Sequence, residues 1–257
     1  MRNTPAHSAA RRGRYHRRIG DGAEKGQGMG KRGLIVRGGW EGHDPIAATD
    51  LFIPVLEAAG FELDIEDTPE IYADAAAMAH YDLVVQCLTM GSATVDEVEG
   101  LRQAVAAGAG FAGWHGGIAD SFRASTDYLQ LVGVQFAAHP HAPEDRGRTD
   151  VEPYRDYTVH FTQAGAAHEI TRGIEDFDVR TEQYWVLADS LIEVLADCLL
   201  VPGVGDEWPD PVTMPVVWTR RWGAGRIFAT SLGHTVDVLE DPKVNSLVER
   251  GMMWASR

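Results

Sequence analysis

The sequence predicts an α/β protein built on a doubly wound, mostly parallel sheet. Three observations carry this. In the first half, short apolar strand-like runs alternate with amphipathic helical stretches, the order that gives βαβ units. Helix starts are marked by Asp44-Pro45, by Thr94 with Glu97, and by Asp241-Pro242. The chain has 257 residues, 44% hydrophobic and 24% charged, which suits one large core. No stretch nears the ~20 apolar residues of a membrane span, so no membrane partner is expected.

Taken in order, Gly33-Leu34-Ile35-Val36-Arg37 reads as a buried strand running into a loop, Gly38 to His43. Asp44 as N-cap and Pro45 at N1 open a helix towards Gly60, which Pro54 must kink or interrupt. Phe61 to Ile65 alternates apolar and acidic residues, a half-exposed strand, and Leu83-Val84-Val85 is a buried one. Thr94 to Ala107 is a capped helix with an apolar face of Val95, Val98, Leu101 and Val105. Gly110 to Gly113 is the next strand, and Tyr128 to Gln135 reads as helical. Later strands are expected at Tyr157–Phe161, Val179–Thr181, Leu191–Leu195, Val216–Trp218 and Ile227–Thr230, before a last helix carrying Val244, Leu247, Val248 and Trp254.

Residues 1–32 differ from the domain expected over 33–257. They hold nine Lys or Arg against two Asp or Glu, about +7, which leaves the rest near −22 of the total of −15. This Arg- and Gly-rich tail has little to pack, so disorder is predicted. It also lacks the apolar segment of a signal peptide. Met29 stands just before the first strand, so either Met1 or Met29 fits as the start. The acidic balance argues against a nucleic-acid partner, because phosphates need basic surface. Two cysteines, Cys87 and Cys198, sit in apolar runs. That usage fits free thiols in a reducing cytoplasm better than a disulfide framework. Homo-oligomerisation is left open.

The chemistry concentrates in histidines. In Gly113-Trp114-His115-Gly116-Gly117 a strand ends in G-x-H-x-G, a pattern like the sharp elbow that presents a nucleophile in α/β hydrolases. The exposed position holds His115 rather than Ser or Cys. His234 follows the strand Ile227–Thr230, and His43 follows the first strand. Parallel strands aim their carboxyl ends at one crevice, so His43, His115 and His234 are expected to meet there. Imidazoles suit proton transfer near neutral pH, and they also ligate divalent metals such as zinc. His139-Pro140-His141 is a further cluster, and Glu182-Gln183-Tyr184 offers a carboxylate and a phenol. His80, His160 and His168 are read as structural, and His7 and His16 belong to the tail.

At these residues the sequence resembles the ThuA family of trehalose-utilisation proteins. The resemblance rests on Gly38 to His43, Gly113 to Gly117, Gly133 to Pro140, Arg172 to Phe177, Glu182-Gln183-Tyr184, Gly223 to Arg226, Gly233-His234 and Trp254-Ala255, in the family's order over about residues 33–256. Two places depart from it: His168-Glu169-Ile170 stands for His-Pro-Ile, and Thr181-Glu182-Gln183-Tyr184 for Asp-Glu-x-Tyr. The resemblance implies a flavodoxin-like fold of the class I glutamine amidotransferase type. It also brings His139 and Glu182 to the site. Glutamine hydrolysis itself needs a thiolate at the elbow, which His115 does not supply.

The resulting expectation is a sugar-catabolism enzyme acting on a keto-sugar or keto-glycoside. His115, His234 and Glu182 are its catalytic candidates. Trp114, Gly116, Gly117, Tyr184 and His43 would contact substrate, and His43, His115, His139 and His234 are the candidate metal ligands. The competing expectation is a non-catalytic sugar-binding or regulatory module, because such folds host many functions.

Overall fold

A computed structural model describes residues 30–140, 148, 150, 153–203, 206 and 208–257. Residues 1–29 lie outside it, so the expectation of a disordered tail does too. Strand β1 (Lys31–Gly39) begins two residues before the expected boundary. It is followed by β2 (Phe61–Glu66), β3 (Leu83–Thr89), β4 (Gly110–Trp114), β5 (Val134–Ala138) and β6 (Tyr154–Phe161). Then come β7 (Phe177–Glu182), β8 (Trp185–Ala188), β9 (Glu193–Leu200), β10 (Val212–Trp222) and β11 (Gly225–Thr230).

A nine-stranded sheet runs β2-β1-β3-β4-β11-β10-β9-β6-β7, and β5 pairs with β8 in a separate ribbon. The block β2-β1-β3-β4-β11 is parallel and has the flavodoxin-like order, with β11 as fifth strand. From β11 outward the pairings are antiparallel. The chain leaves the parallel block after β4, builds the antiparallel wing, and returns through a two-residue turn at Gly223-Ala224. Among the described residues no helix is long and apolar enough to cross a membrane.

The local signals explain most elements. β3 is buried along its whole length, as a central parallel strand must be. Pro54 splits the first helical stretch into Pro45–Asp50 and Ile53–Ala58. The capping box closes on the helix Val95–Ala106: Thr94 Oγ1 accepts from the Glu97 N–H at 3.2 Å, and the Thr94 N–H donates to Glu97 at 2.6 Å. In the last helix, Pro242–Ala255, the Asp241 carboxylate accepts from the N–H groups of Lys243 and Val244, and Val244, Leu247 and Val248 are buried. That helix packs on β4 and β11.

Four readings are corrected. Asp44 precedes its helix but its side chain caps nothing. It closes the preceding turn with a left-handed backbone, φ +42°, and that carries the carboxylate away from the helix N–H groups. Val95 is 80% exposed, because the first helical residue projects before the helix meets the core. The predicted helix to Gln135 ends at Val132, where Gly133 takes the left-handed C-cap, and β5 begins at once. The strand expected from Leu191 starts at Glu193. Asp189 Oδ1 accepts from the Leu191 N–H at 2.8 Å and holds that stretch as a turn.

Candidate functional site

β4 delivers its last residue, Trp114, straight into the elbow. His115 has φ +49° and ψ −142°, a conformation that costs a side-chain-bearing residue about 1–3 kcal/mol. Two contacts fix it there. The His115 N–H donates to the Thr230 carbonyl at the end of β11, 2.7 Å. His115 Nδ1 donates to the Ser231 carbonyl at 2.8 Å. The short helix Gly116–Ala119 follows at once. A Cβ on Gly116 would lie 2.7 Å from His43 Cε1, and one on Gly117 would lie 2.8 Å from the Cys87 backbone. Both positions therefore require glycine on steric grounds.

Gln86, buried on β3, anchors the short helix. The two hydrogens of its amide nitrogen are shared among the Gly117 carbonyl (3.2 Å), Ser121 Oγ (3.0 Å) and the Tyr128 hydroxyl (2.7 Å), while Tyr72 donates to its oxygen at 3.0 Å. Sequence reading passed over Gln86. Its signal was a lone amide inside the apolar run Leu83 to Leu88.

The other site residues arrive from separate elements. His43 closes the single turn Glu41–His43 after β1, and its Nδ1 lies 2.7 Å from Thr89 Oγ1 at the end of β3. His234 follows β11 through Gly233, whose φ is +101°. Glu182 ends β7. The Tyr184 hydroxyl donates to Glu182 Oε2 at 2.5 Å, and the Tyr184 ring stacks on Phe136 at 3.7 Å.

Among the described residues, His43, His115, Glu182 and His234 present ligand atoms all within 4.8 Å of one another, and all four side chains are buried. Three of those atoms form a tight triangle. His115 Nε2 lies 3.1 Å from Glu182 Oε2, His234 Nδ1 lies 3.1 Å from the same oxygen, and the two nitrogens are 3.3 Å apart.

The structure does not bring every candidate together. His139 is exposed, its ring edge-on to Tyr184 at 5.4 Å, and it stands outside the cluster. It lies just beyond the last register pair of β5, Ala138 with Trp185. Trp114 is 1% exposed and packs on Phe52 at 5.0 Å, so it is core and offers no face to a sugar. Trp40 instead stands at the rim, 47% exposed and edge-on to His43 at 4.6 Å. It sits within Gly38 to His43, but a lone tryptophan in a glycine-rich loop carries no marker of its orientation. Asp120, mostly buried and ion-paired to Arg123 at 2.7 Å, is a second neighbour that sequence reading missed. A surface cleft of about 380 Å³ lined by Glu169, Arg226, Glu249, Arg250 and Trp254 shares no residue with the cluster.

Charge follows from this packing. Burial, and then the neighbouring His115 and His234, push the His43 imidazole down to about 3, so it is neutral over the physiological range. Burial works against the Glu182 carboxylate, but its contacts with His115, His234 and Tyr184 outweigh it and hold the group far below the usual carboxylate range. Burial and the adjacent Glu182 charge raise the Tyr184 hydroxyl well above its ordinary value, so it stays a donor. Burial raises Asp120 against the opposing pull of Arg123.

Comparisons with known proteins agree with this arrangement at the level of the fold. A ThuA-like protein of Bacteroides uniformis superposes with a TM-score of 0.66 at 18% identity, over 91% of this chain and 95% of the other. A ThuA-like protein of Parabacteroides merdae gives 0.66 at 17% identity over 88% and 90%. A cytoplasmic protein of Salmonella typhimurium gives 0.59 at 14% identity over 88% and 100%. No curated protein matches. The ThuA family model, described as trehalose utilisation, matches residues 32–255. With nearly the whole domain matched and the parallel block in place, the chain belongs to the ThuA family of trehalose-utilisation proteins.

Proposed function

We propose that this protein is a sugar-catabolism enzyme that enolises a keto-sugar or keto-glycoside. A proton leaves the carbon beside the ketone, and the cluster stabilises the oxyanion that forms. The observation that carries this reading is the buried triangle of His115 Nε2, His234 Nδ1 and Glu182 Oε2. The Ser231 carbonyl can only accept, so His115 carries its hydrogen on Nδ1 and keeps its Nε2 lone pair facing into the cluster. That lone pair is the proton acceptor. Glu182 steadies the imidazolium that results, and Tyr184 orients Glu182. His234 Nδ1, when it carries a hydrogen, is the donor this reading assigns to the developing oxyanion. Exclusion from water strengthens each of these interactions.

The test is exchange. Purified protein incubated with 3-keto-trehalose in deuterated water should wash deuterium into the position beside the ketone, read by proton NMR, before or along with any product. His115→Ala should abolish this. Tight binding of the keto-sugar with no exchange and no product would favour the sugar-binding module instead.

A further inference from the structure

We propose that the same triangle binds one divalent first-row transition metal, zinc or an ion of similar size and ligand preference. It rests on the same site as the reaction assigned above and is tested apart from it. The argument begins with a conflict between acceptors. His115 Nδ1 spends its hydrogen on the Ser231 carbonyl, so in the neutral ring Nε2 is a bare lone pair. It faces Glu182 Oε2 at 3.1 Å. Two acceptors at that distance repel unless a cation or a further proton stands between them. His234 Nδ1 can bring at most one hydrogen, and Glu182 Oε2 is equally close to it.

The spacing fits a cation as that occupant. Edges of 3.1, 3.1 and 3.3 Å are those of a coordination polyhedron. With metal–ligand bonds of about 2.0–2.1 Å, they subtend angles of about 100°, close to tetrahedral. Two imidazoles and a carboxylate suit zinc and its neighbours far better than magnesium or calcium. Two of the three ligands also have a second partner, of the kind that orients metal ligands. The Ser231 carbonyl holds His115, and the Tyr184 hydroxyl holds Glu182. His43, with its Nδ1 engaged by Thr89, stands beside the fourth position. Three protein ligands with one position left over is the arrangement of catalytic rather than structural zinc. With the ion bound, His115 Nε2 is a ligand and no longer the base. An ion held there would supply Lewis-acid chemistry at the position left open.

The experiment uses the full chain without a polyhistidine tag, stripped with a chelator and dialysed to equilibrium against Zn²⁺, with Mg²⁺ as the hard-cation comparison. The expected result is one Zn²⁺ per chain and no Mg²⁺ uptake. Glu182→Gln should weaken zinc binding by about 10²-fold or more. Tyr184→Phe, which leaves every ligand in place, should weaken it by about 10-fold, the usual effect of losing an outer hydrogen bond. His139→Ala should bind as the parent does. Circular dichroism reports whether each variant is folded, and Tyr184→Phe keeps the test open if Glu182→Gln is not. Substoichiometric zinc in the folded parent, or binding equally tight in Glu182→Gln and Tyr184→Phe, overturns the inference. A stripped chain that binds no zinc yet exchanges the keto-sugar proton removes the metal and leaves the reaction. A chain that binds one zinc and exchanges nothing does the reverse.

Discussion

Replacing Gly116 by Ala should disable the site while sparing most of the fold, and the neighbouring glycine supplies the contrast. A Cβ at position 116 would lie 2.7 Å from His43 Cε1 and 3.0 Å from Thr89 Cγ2. Ordinary carbon contacts sit at about 3.5–4.0 Å, so one partner must retreat by roughly 1 Å. His43 is the freer of the two, because it ends a single turn of helix whereas Thr89 belongs to a fully buried strand. Its retreat strains the 2.7 Å contact with Thr89 and opens the cluster. Misplacement by about 1 Å costs on the order of 10² in rate. Overpacking costs about 1–3 kcal/mol, and each kcal/mol lowers the Tm of a domain this size by about 2–4 °C. At position 117 the added carbon meets Cys87 Cα at 2.8 Å, which is backbone and cannot rotate away. Gly117→Ala should therefore fall at or beyond the upper end of that stability range. The assay pairs a thermal melt with keto-sugar exchange and zinc affinity for both variants. Gly116→Ala with parental exchange and parental zinc affinity would refute the reasoning, since it would mean that His43 tolerates displacement without consequence.

Three further outcomes are expected. His115→Ala should cut turnover by about 10² or more with the fold retained, measured by deuterium wash-in alongside a melt, and an active variant would remove His115 from the chemistry. Burial pushes the Cys87 thiol up to about 12 and the Cys198 thiol up to about 11. At pH 8 their thiolate fractions are therefore roughly 10⁻⁴ and 10⁻³, and labelling by a thiol reagent should run about 10²–10³-fold slower than for a free thiol; labelling at the free rate would show that the strands open. Asp189→Asn removes the counter-charge of Arg220, whose side chain is 1% exposed and paired at 2.5 Å. Breaking a fully buried pair costs about 3–5 kcal/mol, and the 40% exposure of Asp189 trims that to about 2 kcal/mol. A fall in Tm of about 4–8 °C is expected, and an unchanged melt would show the pair to be idle.

What the sequence revealed and what it hid divide along a physical line. The parallel block was legible because its strands are short apolar runs and the helices Val95–Ala106 and Pro242–Ala255 carry their own caps. Thr94 with Glu97 and Asp241 with Pro242 fix helix starts through contacts no more than three residues away. Topology then placed three histidines correctly in space, since residues that follow parallel strands share one edge. The antiparallel wing was less legible. β5 and β8 are five and four residues long, and their pairing is a long-range fact with no local periodicity to announce it. The same limit separates Glu182 from His139. Both joined the site by resemblance, and only the fold decides between them. Glu182 ends a strand whose backbone is held from the side, by Tyr157 donating to its carbonyl at 3.2 Å. His139 lies past the last register pair of its ribbon. A sequence records that an imidazole or a carboxylate is present; which of them faces inward depends on strand ends and register. For the same reason Trp114, beside the elbow histidine, is core, while Trp40 stands at the rim. Successive residues of a strand point to opposite faces, so adjacency to His115 in sequence separates two side chains in space. The residues around the elbow are therefore best ranked by which face and strand end they occupy, and on that ranking Trp40 precedes Trp114 as the aromatic surface open to a sugar ring.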